Sequence, residues 1–189
     1  DDGGTGFPFL RRRAGVALIG LSTARPTAPG LASGRLGARQ LAALEPLLEA
    51  TGRAGLFRVV LLHHPAVPGV VARRKGLDDA GALGEVLARR GAELVLHGHA
   101  HRSMRGALPG PGGPIPVLGV PSASSSEAGE ARRAAYHLYR VTPTAGGWQL
   151  QVRCRVLGGT APEIREARPW ELELPLHPAP AGAGATVSA

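Results

Sequence analysis

Short apolar runs punctuate the first hundred residues: VALIGLS at 16–22, LFRVVLLHHP at 56–65 and AELVLHG at 92–98. Each is too short for a buried helix, and each ends against a serine, proline or glycine, as strands buried on both faces do. Between them the spacing turns helical. GARQLAALEPLLEAT, 37–51, sets leucines at 41, 44, 47 and 48 on one stripe, with Pro46 expected to kink the helix or to sit in a distorted turn. DDAGALGEVLARRG, 78–91, opens on aspartates of the capping type, closes on arginines and glycine, and puts Leu83, Val86 and Leu87 on one face. Residues 56–98 therefore predict a β-α-β unit.

Beyond residue 100 the period changes. PIPVLGVPS, 114–122, reads as another strand, while AAYHLYRVTPT, 134–144, and GWQLQVRCRVL, 147–157, alternate apolar and polar positions around a Gly-Gly turn. That pattern predicts a half-exposed antiparallel hairpin, with WELELPL, 170–176, as a further edge strand. No internal repeat is present, so the class is α/β with mixed sheets.

Length and composition bound this picture. With 189 residues and 43% apolar content the chain suits one core, expected over residues 1–176, followed by a loose Pro/Ala/Gly-rich tail at 177–189. No apolar run approaches the roughly 20 residues of a membrane span, and no signal-peptide pattern opens the chain. The expectation is a soluble, cytoplasmic protein whose oligomeric state the sequence leaves open. The lone Cys154 rules out an internal disulfide and a cysteine-based zinc site.

A formal charge of +8 raises the question of a polyanionic partner. Lys75 is the only lysine, asparagine is absent and arginine abounds, which is the bias of GC-rich coding. Aromatic residues, at 4%, are too few for a base-stacking surface, so nucleic acid is not the expected partner.

The chemistry concentrates in histidine. His63 and His64 end the second apolar run, and LVLHGHAHRS, 94–103, places His97, His99 and His101 at and beyond the end of the third. A β-α-β crossover brings the C-terminal ends of its two strands to one sheet edge, where open α/β sheets bind ligands. Neutral imidazoles there suit a transition metal. Gly98 is expected to turn the chain and Ala100 to keep the space between ligands open. His99 and His101 read as ligands, and one of His63 and His64 as another. His97 continues the strand and reads as a core or supporting residue, while His137 and His177 read as structural.

These residues carry a resemblance. VVLLHHP followed by LVLHGHAHR is similar to the C-terminal half of the calcineurin-like metallophosphoesterases, near their bacterial cyclic-nucleotide phosphodiesterase-like members. GRLGARQLAALEPLL and the small-residue loop GVPSASSS support it across roughly residues 7–157. The resemblance implies a metallo-dependent phosphatase-like fold, a mixed-sheet β-sandwich flanked by helices. It also implies two divalent transition-metal ions (manganese, iron, zinc, cobalt or nickel), a small phosphoester substrate and attack by a metal-bound hydroxide. By the same resemblance His63 and His99 would share one ion, His101 would take the other, and His64 would support them.

The family's D-x-H, G-D and G-N-H-[DE] motifs, which stand ahead of His-His-Pro, have no counterpart: the only aspartates are Asp1, Asp2, Asp78 and Asp79. Three neutral histidines do not screen two cations about 3.5–4 Å apart without a bridging carboxylate. The expectation is a domain incomplete at its N-terminus, with its catalytic residues upstream of residue 1, and inactive alone. The competing readings are a degenerate, non-catalytic binding domain and a mononuclear three-histidine zinc enzyme. The SASSSEAGE stretch, 122–130, could border a substrate but reads first as a surface loop.

Overall fold

The three apolar runs become strands β2 (Val16–Gly20), β3 (Phe57–Leu61) and β4 (Leu94–His97), and the two helical stripes become α1 (Ala38–Arg53) and α2 (Ala80–Arg90). This computed structural model describes residues 6–125, 132–157, 164–166 and 170–175; the tail at 177–189, His177 and positions 126–130 of the serine-rich loop fall outside them. β2, β3 and β4 pair in parallel as direct neighbours, with α1 and α2 as their crossovers. The β-α-β unit thus has its closest form, and His63 and His99 emerge from adjacent strands.

Among the described residues, seven further strands complete the sheet and its partner. β1 (Phe9–Arg13) forms an antiparallel hairpin with β2, and β5 (Met104–Leu108) pairs antiparallel with β6 (Ile115–Gly119), giving the order β1-β2-β3-β4-β6-β5. A second sheet runs β10-β8-β7, from β7 (Ala135–Thr144), β8 (Gly147–Leu157) and β10 (Trp170–Pro175), with the short β9 (Ile164–Glu166) on β8. The β7–β8 register closes Thr144 on Gly147, so Ala145 and Gly146 make the turn, one residue earlier than Gly146-Gly147. β10 is the expected edge strand.

The central strands of the six-stranded sheet are largely buried on both faces, which explains their nearly unbroken apolar runs. On one face Ile19, Val60, Leu62, Val95 and Val117 pack under Leu44 and Leu48 of α1 and Leu83, Val86 and Leu87 of α2. On the other, Phe57, Val59, Leu94 and Leu118 meet Trp148, Leu150 and Val152 of the second sheet. Phe57 and Trp148 stack edge to face at 5.5 Å between centroids, joining the two sheets. The architecture is a mixed-sheet sandwich flanked by helices, as expected.

Pro46 lies inside α1 without ending it. Its missing N–H would have served the Ala42 carbonyl; both residues lie on the exposed side of the helix, where solvent can take the place of the lost donor. The capping expectation for the aspartates needs correction. Neither makes a side-chain cap to α2; Asp79 instead accepts the Leu36 and Gly37 N–H groups at 2.8–3.1 Å where the chain enters α1. Asp78 pairs with Arg25 at 2.7 Å. Both carboxylates thereby tie the loop after β2 to the start of α2, and Gly34 bridges Leu77 in parallel between the same segments.

One charged pair lies where the pattern shows only a strand. Arg58, in the middle of β3, is fully buried and turns toward the helices, with its guanidinium on Glu93 through Nη2 at 2.7 Å and Nε at 2.9 Å. Its Nη1 also reaches the carbonyls of Leu48 and Arg90, near the C-terminal ends of α1 and α2. A single side chain therefore satisfies carbonyls from both helices that the fold has taken out of water.

Candidate metal centre at the strand ends

His63 and His99, 36 residues apart, meet at the C-terminal edge of β3 and β4: His63 Nε2 lies 3.1 Å from His99 Nδ1. One of these nitrogens must donate to the other, so both rings are held with nitrogens facing a common space. His99 Nε2 is buried and makes no hydrogen bond within 3.5 Å, although the nearby Lys75 backbone favours the protonated ring. Burial, followed by the neighbouring His64, His63 and Lys75, pushes the His99 pKa down to about 4, which keeps the ring neutral and its lone pair available. Burial likewise lowers His63.

The turn at this edge is made differently from expectation. Gly98 does not occupy the left-handed region, and a Cβ there would meet its nearest neighbour, His63 Nδ1, only at an ordinary 3.9 Å. His99 and His101 bend the chain themselves, with φ of 62° and 50°. Left-handed backbone at two non-glycine residues is uncommon and is held here by hydrogen bonds, Gly98 N–H to the His63 carbonyl at 3.1 Å and Ala100 N–H to the Gly98 carbonyl at 2.7 Å. His101 is exposed beside the pair.

His64 and His97 stand behind the pair as supports. The Ala32 carbonyl can only accept, so His64 Nε2 carries the proton given to it at 3.0 Å, and Nδ1 accepts from the Thr23 hydroxyl at 2.7 Å. With both nitrogens engaged, His64 presents its ring to His99 at 4.3 Å between centroids. Gly34 makes room for it: a Cβ there would fall 2.3 Å from His64 Nδ1. His97, also buried, donates Nδ1–H to the Gly98 carbonyl at 3.0 Å, and Gly119 of β6 leaves space for its ring, since a Cβ there would lie 2.6 Å from His97 Cε1. Sequence reasoning missed Thr23, Gly34 and Gly119. Only Thr23 had a signal, a hydroxyl just past the end of β2, the strand beside β3. His137 is structural, its Nδ1 3.0 Å from the Tyr139 hydroxyl in the second sheet.

No family model matches the chain. It is 38% identical over 96 residues to a probable cyclic nucleotide phosphodiesterase of Synechococcus sp. (strain WH7803), a match that takes in 49% of this chain and 36% of that protein. The chain resembles the calcineurin-like metallophosphoesterases.

Among solved structures this metallophosphoesterase-like chain is similar to GAP50, the anchor in the inner membrane complex of Plasmodium, with a TM-score of 0.50 and 12% identity, over 85% of this chain and 49% of that one. It is also similar to a dimetal phosphatase from Danio rerio, with a TM-score of 0.40 and 15% identity, over 64% of this chain and 35% of that one. At these identities the structural likeness concerns the fold alone. The chain spans half or less of the length of each relative named. Among the described residues no helix is long and apolar enough to cross a membrane.

The donors present fit a metal in part. His63 Nε2 and His99 Nδ1 face one space and are the nitrogens that could share an ion. Among the described residues, however, no three histidine, cysteine, aspartate or glutamate side chains converge as a metal-binding group, so His101 does not complete a three-donor set with this pair. A two-ion centre needs ligands that these residues do not supply.

Proposed function

We propose that this chain forms the histidine wall of a metal-dependent phosphoester hydrolase centre, with His63 and His99 as ligands of one ion and His101 as a ligand that engages only in a completed site. The supporting observation is the juxtaposition of His63 Nε2 and His99 Nδ1 at 3.1 Å. A divalent ion, when bound, supplies a water of lowered pKa and positive charge for phosphate oxygens. The chain's own residues do the positioning. Thr23 and the Ala32 carbonyl fix the proton of His64, His64 backs the His99 ring, and His97 holds the Gly98 carbonyl at the turn. Phosphodiesters are the favoured substrates, through the likeness to the Synechococcus protein. Without a bridging carboxylate, the 189-residue chain binds metal weakly and does not turn substrate over.

Calorimetric titration with manganese tests this reading. The expected result is weak binding that falls at least about 10-fold in His63→Ala and in His99→Ala, with no hydrolysis of bis(p-nitrophenyl) phosphate. Equal manganese affinity in parent and both variants overturns the ligand assignment. Turnover lost in His99→Ala overturns the claim of inactivity.

A further inference from the structure

A cleft of about 530 Å³ opens beside the histidines, and its lining includes Lys75, His99, His101, Arg102 and Arg132. The cationic side chains come from three separate places in the chain: the 3-10 turn Arg73–Lys75, the loop after β4 and the segment leading into β7. Among the described residues no carboxylate lines this cleft, whereas the neighbouring cleft holds Asp78, which Arg25 neutralises at 2.7 Å. The rim is fixed in place. Lys75 sits on a turn closed by its own N–H to the Ala72 carbonyl at 2.7 Å and tied to the loop after β2 by Ala32 N–H to the Arg74 carbonyl at 2.9 Å. Arg102 gives one N–H to the Val70 carbonyl at 2.9 Å, which anchors a guanidinium that carries five such donors.

We propose that this cleft seats an anionic group additional to the one received at the histidines. The substrates would then be phosphoesters with at least two separately charged groups, such as phosphodiesters that carry a further phosphate group. The proposal rests on the phosphoesterase reading above and narrows its substrate class. A cyclic nucleotide carries one negative charge, which the metal side would engage, leaving no anion for Lys75 and Arg102 across the cleft. A second phosphate meets them with charge-assisted hydrogen bonds, and that complementarity sets selectivity.

The test needs no metal. Inorganic pyrophosphate and 3′,5′-cyclic AMP are titrated into the ¹⁵N-labelled 189-residue chain in metal-stripped buffer at 50 and 200 mM salt. Pyrophosphate is expected to shift the amides around Lys75 and Arg102, to bind at least about 10-fold more tightly than cyclic AMP, and to weaken at the higher salt. Lys75→Glu should abolish the preference, and Lys75→Arg, which keeps the charge on the same exposed turn, should retain it. Equal affinity for the two ligands, or a Lys75→Glu protein that still prefers pyrophosphate, overturns the proposal. Loss of the preference in Lys75→Arg as well as Lys75→Glu overturns it too, because charge is then not what is read. A separate manganese titration of parent and His63→Ala reads the metal assignment, so either claim can fail while the other holds.

Discussion

Glu93→Gln removes one charge from the most deeply buried ion pair described and should be among the most damaging single-atom exchanges in the chain. In the parent, the carboxylate takes hydrogen bonds from Arg58 through Nε, Nη2 and the backbone N–H, at 2.6–2.9 Å. Arg58 is fully buried and Glu93 is 2% exposed, so water does not replace what is lost. Removing one partner of such a pair costs about 3–5 kcal/mol, because the other charge stays buried without compensation. That is a large share of the roughly 5–15 kcal/mol that holds a typical domain together.

Arg58→Met should cost more than Glu93→Gln. It strands the carboxylate and also removes the donor from the Leu48 and Arg90 carbonyls, at about 1 kcal/mol or more for each. The double variant Arg58→Met/Glu93→Leu exchanges both charges for apolar volume and should be no worse than Glu93→Gln, with a coupling energy of about 2 kcal/mol or more. Urea unfolding followed by far-UV circular dichroism at pH 7 reads these differences, provided the m-value stays constant. Single variants within about 0.5 kcal/mol of the parent, or additive effects in the double, would refute the argument that this network carries its own desolvation.

Further expectations concern the residues that support the proposed metal centre. Thr23→Val keeps the shape but removes the hydroxyl that donates to His64 Nδ1, and should cost about 1–3 kcal/mol; nitrogen NMR should show His64 keeping its Nε2–H tautomer while the Nδ1 resonance moves to that of an unbonded nitrogen, and an unchanged Nδ1 resonance counts against the assignment. Gly119→Ala places a methyl 2.6 Å from His97 Cε1, so the ring must move; the expected result is manganese affinity reduced about 10-fold or more, with His97→Ala/Gly119→Ala no worse than His97→Ala alone. In metal-free buffer, burial lowers the folded-state pKa of His63, His97, His99 and His137 below the usual 6.5. The unfolded chain then binds more protons than the folded one below about pH 6.5, so stability should be full above that value and fall toward pH 4, where His99 titrates. Urea midpoints that stay flat from pH 7 to 4.5 would contradict this.

The fold was legible where burial is symmetric. VALIGLS, LFRVVLLHHP and AELVLHG are nearly continuous apolar runs because helices cover one face of their sheet and a second sheet covers part of the other. The β7–β8 hairpin was legible for the opposite reason, since one exposed face leaves strict alternation. β1 and β5 left no trace because they are edge strands with exposed residues: FLRRR shows solvent its arginines, and MRGAL buries only Leu108. Arg58 hides within its run because local pattern reading weighs one residue against its neighbours. Its partner stands 35 positions away, in the loop that the crossover delivers.

At the candidate site, the β-α-β spacing brought the two histidine groups to one edge and the resemblance singled out His63 with His99, but neither foresaw how the chain bends there. The Gly-His-x-His string invites glycine as the hinge, yet the left-handed residues are His99 and His101. That difference has a chemical consequence. A glycine hinge would leave the imidazoles free to swing, whereas bending at the histidines fixes where each side chain leaves the backbone. His97 and His64 then hold the turn and the ring from behind. Residues that serve by being small, Gly34 and Gly119, are silent in a single sequence because what they accommodate comes from another strand. Their cost becomes visible only when a Cβ is placed among the rings of His64 and His97. The part of the centre that these strands encode is thus a preformed pair with its supports.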